Sequence, residues 1–142
     1  SEAISEEIEE LSEQGNEAYD ADNFKLAISI WQKALTLIPA PAQTFSESLW
    51  LNASIGDAFF FLGNYQQAAE YLLAAKGNIA ENGYANAFVM LRLGEAMLET
   101  GNLHDAKEFL LRAYMLEGDN IFAEEDPKYF AFLKKHVELK KG

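Results

Sequence analysis

One phrase returns three times along the chain: "GNEAYDADNFKLAISIWQKAL" from Gly15, "GDAFFFLGNYQQAAEYLLAAK" from Gly56 and "GEAMLETGNLHDAKEFLLRAY" from Gly94. Self-similarity at a nearly fixed period restricts a chain to stacked copies of one small unit, because no single copy can bury its own apolar face. Four anchors stay in register: Gly15, Gly56 and Gly94; the turn triplets Asp22-Asn23-Phe24, Gly63-Asn64-Tyr65 and Gly101-Asn102-Leu103; Ala27, Ala68 and Ala106; and Ala34, Ala75 and Ala113. Each unit reads as a helical hairpin. Asn23, Asn64 and Asn102 suit the N-cap of the second helix, where a short polar side chain accepts from unpaired amides. The glycine before two of them supplies the turn. Small residues at the recurrent positions let two helix backbones approach closely, and Phe24, Tyr65, Trp31 and Phe59 fill the space around them.

The small residue in each first helix, the aromatic at the turn and the alanines of each second helix resemble the tetratricopeptide repeat. The resemblance covers about residues 8–118. It implies an all-α fold, an α-solenoid of three such hairpins, with repeats at about 8–41, 46–80 and 84–118. Asp126-Pro127 followed by Tyr129, Phe130, Leu133 and Val137 starts a further helix with proline in its first turn. Spanning about 126–140, it caps the open end of the stack. From Gly15 to Gly56 is 41 positions and from Gly56 to Gly94 is 38, against a family period of about 34. The stretches "PAPAQTF" and "GNIAENG" therefore hold inserted loop or lengthened helix.

Composition narrows the function classes. A 49% hydrophobic content can support a core, so one domain is expected over 1–142. There is no cysteine, hence no disulfide or thiolate metal site. No apolar run exceeds Ala58–Leu62, far below the roughly 20 residues of a membrane span. The acidic opening "SEAISEEIEE" is unlike a secretory signal, and a cytoplasmic location is expected. The net charge of −12 disfavours nucleic acid and anionic membranes and favours a basic protein or peptide as partner. Residues 1–24 carry nine acids and no base, whereas the stretch from Asp119 balances five acids against five lysines.

No catalytic constellation emerges, and no enzyme is expected. His104 is read as a solvated turn residue and His136 lies near three lysines on the last helix, so no metal or cofactor is expected. "AEEDP" reads as helix-start chemistry, with acids complementing the macrodipole. Glu95 and Glu99, four apart on one helix, read as a charged helix surface rather than an acid–base pair.

In the tetratricopeptide family the first helices line a concave groove. Leu11, Gly15 and Ala18, then Ile55, Gly56 and Phe59, then Met90, Leu93, Gly94 and Met97 face the paired second helices. The opposite faces leave Asn16, Tyr19, Asp20, Trp50, Asp57, Phe61, Phe88, Leu91, Arg92, Glu95 and Glu99 as candidate partner-binding residues. Trp50, Phe61 and Phe88 are large aromatics among acids, and exposed patches of that kind mark interaction sites. The terminal helices could instead fold across the groove and bury them. One subclass of the family clamps the acidic C-terminus of heat-shock chaperones. Its clamp positions fall on Ser12, Asn16, Ser54, Phe88 and Arg92, of which only Asn16 and Arg92 match, so that ligand is not expected. The expected function is a non-catalytic interaction module for an apolar, basic-flanked segment. The tail "LLRAYMLEGDNIFAEEDPKYFAFLKKH" also resembles small bacterial repeat proteins of toxin loci, which suggests an immunity protein. A secretion-type chaperone is a third role, and homodimerisation through the groove or an uncapped end is open.

Overall fold

The computed structural model describes residues 2–139, and among them seven α-helices and no strand occur. The helices are α1 (Glu2–Asp20), α2 (Phe24–Thr36), α3 (Ser46–Phe61), α4 (Tyr65–Lys76), α5 (Ala87–Glu99), α6 (Leu103–Glu117) and α7 (Pro127–His136). They form three hairpins, α1–α2, α3–α4 and α5–α6. Each second helix packs against the first helix of the next hairpin, as a solenoid requires.

The turn inside each hairpin has the same backbone. Gly63 and Gly101 adopt φ of 80° and 86°, and Asp22, at the equivalent place, adopts 60°. This left-handed conformation is one that glycine reaches freely and that aspartate tolerates through its short polar side chain. Asn23 accepts a hydrogen bond from the Leu26 amide and so caps α2. Asn64 and Asn102 occupy the same position but make no side-chain cap bond. Asn102 instead donates to Thr100 Oγ1 and Met97 Sδ.

Close approach explains the recurrent small residues. A Cβ added at Gly15 would collide with the Trp31 indole, and one at Gly56 or Gly94 would lie 2.6 or 2.7 Å from Cγ of Leu72 or Leu110. The contact therefore repeats sixteen residues further on in every hairpin. Ala27, Ala34, Ala68, Ala75, Ala106 and Ala113 are all fully buried, as close helix contact demands.

The stretched periods are accommodated between hairpins. Single 3-10 turns at Ala42–Thr44 and Gly83–Ala85 lengthen the two connections. The loop that follows α4 is fastened to the one before α3. The Ile79 amide donates to the Gln43 carbonyl at 2.8 Å, and buried Asn78 donates to the Phe45 carbonyl and to Ser48 Oγ. A 3-10 turn at Asp119–Phe122 then leads to α7, whose proline sits in the first turn behind an Asp126 cap that accepts from the Lys128 amide. Phe122 stacks on Phe130 with ring centroids 4.6 Å apart, fixing this turn against α7.

Candidate functional site

Leu11, Gly15, Ala18, Ile55, Gly56, Phe59, Met90, Leu93, Gly94 and Met97 are buried. The opposite faces of α1, α3 and α5 differ from one another. On α3, Trp50 is 55% exposed and Phe61 51%; at the start of α5, Phe88 is 37% exposed. Neither terminal helix covers Trp50. Phe61 is exposed yet packed, stacking on Phe24 at 5.8 Å and meeting Tyr19 edge-on.

Further along α5 the expectation of an open face is corrected. Leu91, Arg92 and Glu95 are buried, and Glu99 is partly so. The segment joining α6 to α7 lies over this face. Glu125 pairs with Arg92, while Tyr129 and Lys128 reach Glu99 Oε2 at 2.6 and 2.7 Å. The reading of Glu95 as a residue of a wet helix surface is corrected with it, since its side chain has no exposure at all. "AEEDP" does more than start a helix, because Glu125 belongs to a buried ionic cluster.

That cluster is built around one guanidinium. Arg92 Nε donates to Asp57 Oδ1 at 2.6 Å, and Nη1 donates to Glu95 Oε1 at 2.5 Å and to Glu125 Oε1. Asp57 Oδ2 accepts from the Tyr19 hydroxyl at 2.5 Å. The guanidinium carbon lies 5.0, 5.2 and 5.3 Å from the ring centroids of Phe60, Phe61 and Phe88, so three aromatic rings box the cation. Three carboxylates for one cation leave an excess of negative charge. Burial, reinforced by Glu125, pushes the Glu95 carboxyl up to about 8 despite Arg92, which lowers it. Its Oε2 has no hydrogen-bond partner among the described residues. Burial works against the Arg92 charge, yet Asp57, Glu95 and Glu125 together raise its pKa further. Burial and the bond to Asp57 raise that of Tyr19.

The open part of the groove lies between α1 and α3. An outer cleft of about 520 Å³ is lined by residues that include Glu9, Ser12, Glu47 and Trp50. An inner one of about 430 Å³ is lined by Tyr19, Asp20, Asp57 and Phe88 among others. The two share Asn16, Trp31, Trp50 and Ser54. Trp31 is a buried floor whose indole donates to the Ser12 carbonyl. Of the residues expected in the groove, Asn16, Tyr19, Asp20, Trp50, Asp57 and Phe88 are thus brought together. Arg92 and Glu95 sit in the buried cluster with Glu125, and Glu99 pairs separately with Lys128 and Tyr129.

His104 lies in the first turn of α6, exposed, 3.5 Å from Glu108. With Asp105 these form a carboxylate and imidazole group whose ligand atoms lie within 4.8 Å of one another. His136 ends α7 against the Phe132 ring. No described helix is long and apolar enough to cross a membrane.

Residues 51–80 match the model of the tetratricopeptide repeat family. The fold is a tetratricopeptide-repeat solenoid. Its solved likenesses include the C-terminal tetratricopeptide domain of a putative FK506-binding protein of Plasmodium falciparum, with TM-score 0.79 and 19% identity over 95% of this chain and 91% of that one. The second such domain of human RPAP3, solved in complex with an HSP70 peptide, gives TM-score 0.70 and 16% identity over 93% and 96%. The Yersinia enterocolitica type III secretion chaperone SycD, in complex with a peptide of the translocator YopD, gives 0.69 and 16% over 90% of each. No curated protein matches the sequence.

Proposed function

We propose that this chain is a non-catalytic interaction module that holds an apolar, basic-flanked segment of another protein in the α1–α3 part of its groove. The observation that carries the reading is Trp50, more than half exposed between two contiguous clefts whose charged lining is wholly acidic: Glu9, Asp20, Glu47 and Asp57. An exposed indole in a concave site is the type of anchor that dominates interface energy. The surrounding charge selects basic flanks. Asn16, Tyr19, Asp20, Trp50, Asp57 and Phe88 are the contact residues in this reading. Phe61, Leu91, Arg92, Glu95 and Glu99 hold the groove wall from behind.

Two of the structures named above are complexes with peptides, of HSP70 and of YopD. An acidic peptide is not the ligand proposed here. Arg92, the cation at the position resembling the clamp, already carries Asp57, Glu95 and Glu125. An anionic tail would meet carboxylates instead. The concentration of nine acids and no base in residues 1–24 favours one narrower role, a cytoplasmic immunity protein that blocks a basic toxin. Such a protein abolishes its partner's activity at equal stoichiometry, which a chaperone does not.

Affinity capture from the source cell's lysate, with wild type and a folded Trp50→Ala/Phe88→Ala variant, tests the reading. A basic protein retained by wild type, lost by the variant and weakened by salt is expected. Equal retention by both would refute the groove as the site.

A further inference from the structure

The inner cleft offers what surrounds Arg92 but without the cation. Arg92 shows how this fold stabilises a guanidinium: aromatic faces at about 5 Å and carboxylates at hydrogen-bond distance. Immediately beside it, the inner cleft presents Trp50 and Phe88 as aromatic walls and Asp20 and Asp57 as carboxylates. Phe88 and Asp57 are common to both places. The lining of neither cleft includes lysine, arginine or histidine. A cleft of about 430 Å³ with two aromatic walls and Asp20 at its acidic rim has no cation in its own lining, Arg92 meeting Asp57 from behind.

Resting on the groove reading above, we infer that the inner cleft is a subsite for one arginine side chain of the bound segment, stacked on Trp50 with its guanidinium at Asp20. Both oxygens of Asp57 already accept bonds, from Arg92 and Tyr19. Asp20, exposed at the last residue of α1, is therefore the carboxylate that meets the incoming group. Arginine fits better than lysine for two reasons. Its planar, weakly hydrated guanidinium stacks on an indole, and its fork can reach the Asp20 carboxylate and the Asn16 side-chain carbonyl together. The buried carboxylates behind the wall attract the same charge.

Titration of the isotopically labelled full chain with N-acetylarginine amide, N-acetyllysine amide and neutral N-acetylcitrulline amide separates the alternatives. The readout is the indole N–H signal of Trp50, assigned by its loss in Trp50→Ala. The arginine probe is expected to shift Trp50 saturably, and to bind about tenfold more tightly than its citrulline isostere. Asp20→Asn is expected to weaken it about threefold, and added salt to weaken it further. Equal binding of citrulline, absence of a saturable shift, or insensitivity to Asp20→Asn overturns the subsite. Equal binding of lysine overturns the choice of arginine. If the probe fails while Trp50→Ala/Phe88→Ala still loses the captured protein, the groove reading survives and the arginine subsite falls. If the probe binds while capture is unaffected, the groove reading falls.

Discussion

Replacing Glu95 by glutamine should abolish a loss of stability that this protein suffers as pH rises. Glu95 is fully buried, one oxygen on Arg92 and the other without a partner, and burial raises its pKa to about 8 from 4.5. Between those two values the folded chain keeps a proton that the unfolded chain has released. Stability is therefore greatest below about pH 4.5 for this group and declines as pH rises toward 8, by about 1.4 kcal/mol per unit. The shift from 4.5 to about 8 sets a ceiling of about 4–5 kcal/mol on the total loss. Glu99 acts with the opposite sign, because Lys128 and Tyr129 hold its pKa below 4.5 against the effect of burial. Its contribution is lost only as pH falls through that lowered value, outside the window of Glu95. Urea unfolding of wild type and Glu95→Gln, followed by circular dichroism from pH 5.5 to 8, gives the test. The wild type should lose about 2–3 kcal/mol more than the variant across that range. Glutamine, an isostere of the protonated acid, should be the more stable of the two at pH 8. Parallel slopes, or a variant that loses more than wild type, would refute the assignment of the proton to Glu95.

Four further outcomes are expected. Gly94→Ala places a methyl 2.7 Å from Leu110 Cγ and 3.0 Å from its backbone nitrogen, so denaturant unfolding should report a loss of about 1–3 kcal/mol. Asn23→Ala removes the cap bond to the Leu26 amide and should cost about 1 kcal/mol in the same assay. Asn64→Ala, at a cap position without such a bond, should cost only about a few tenths, and equal losses for the two would show that the bond is immaterial. Charge reversal by Glu9→Lys/Asp20→Lys/Glu47→Lys should slow association with a basic partner about tenfold or more at low salt, measured by surface plasmon resonance, with the difference shrinking as salt is added.

The helices and their pairing were legible in the sequence because the information is local and repeated. Gly15, Gly56 and Gly94 each meet a side chain sixteen residues later, and the alanines follow at fixed offsets. Such contacts leave a periodic trace in any one chain. The exposure of Trp50 was legible for the same reason, since helical spacing alone turns it away from α4. The cluster at Arg92 was not. It joins Tyr19 to Asp57 across 38 positions, Asp57 to Arg92 across 35 and Arg92 to Glu125 across 33, so its members lie on different hairpins and in the segment before α7, not within one repeated unit. Glu95 and Glu99 read as a wet surface because their spacing says which face they share, not what lies over it. The available signal was chemical: Arg92, one of only two arginines in the chain, sits on a face otherwise carrying acids and aromatics. A lone cation in that setting is more readily an internal counter-ion than an anion receptor.

That distinction bears on the partner proposed for the groove. With Glu95 protonated, Arg92 faces the charges of Asp57 and Glu125, and the cluster carries one net negative charge; once Glu95 ionises it carries two. In neither state does Arg92 present positive potential to a ligand. Nearby, the open clefts add Glu9, Asp20 and Glu47 and no base. The position that could have supplied a clamp for an anion therefore supplies the opposite, an electronegative wall faced with aromatic rings. A helical-repeat groove of this backbone shape can bind peptides of either sign, and the occupant is selected by which charges remain unpaired. Here the unpaired ones are carboxylates, the charge that the proposed basic flanks would meet.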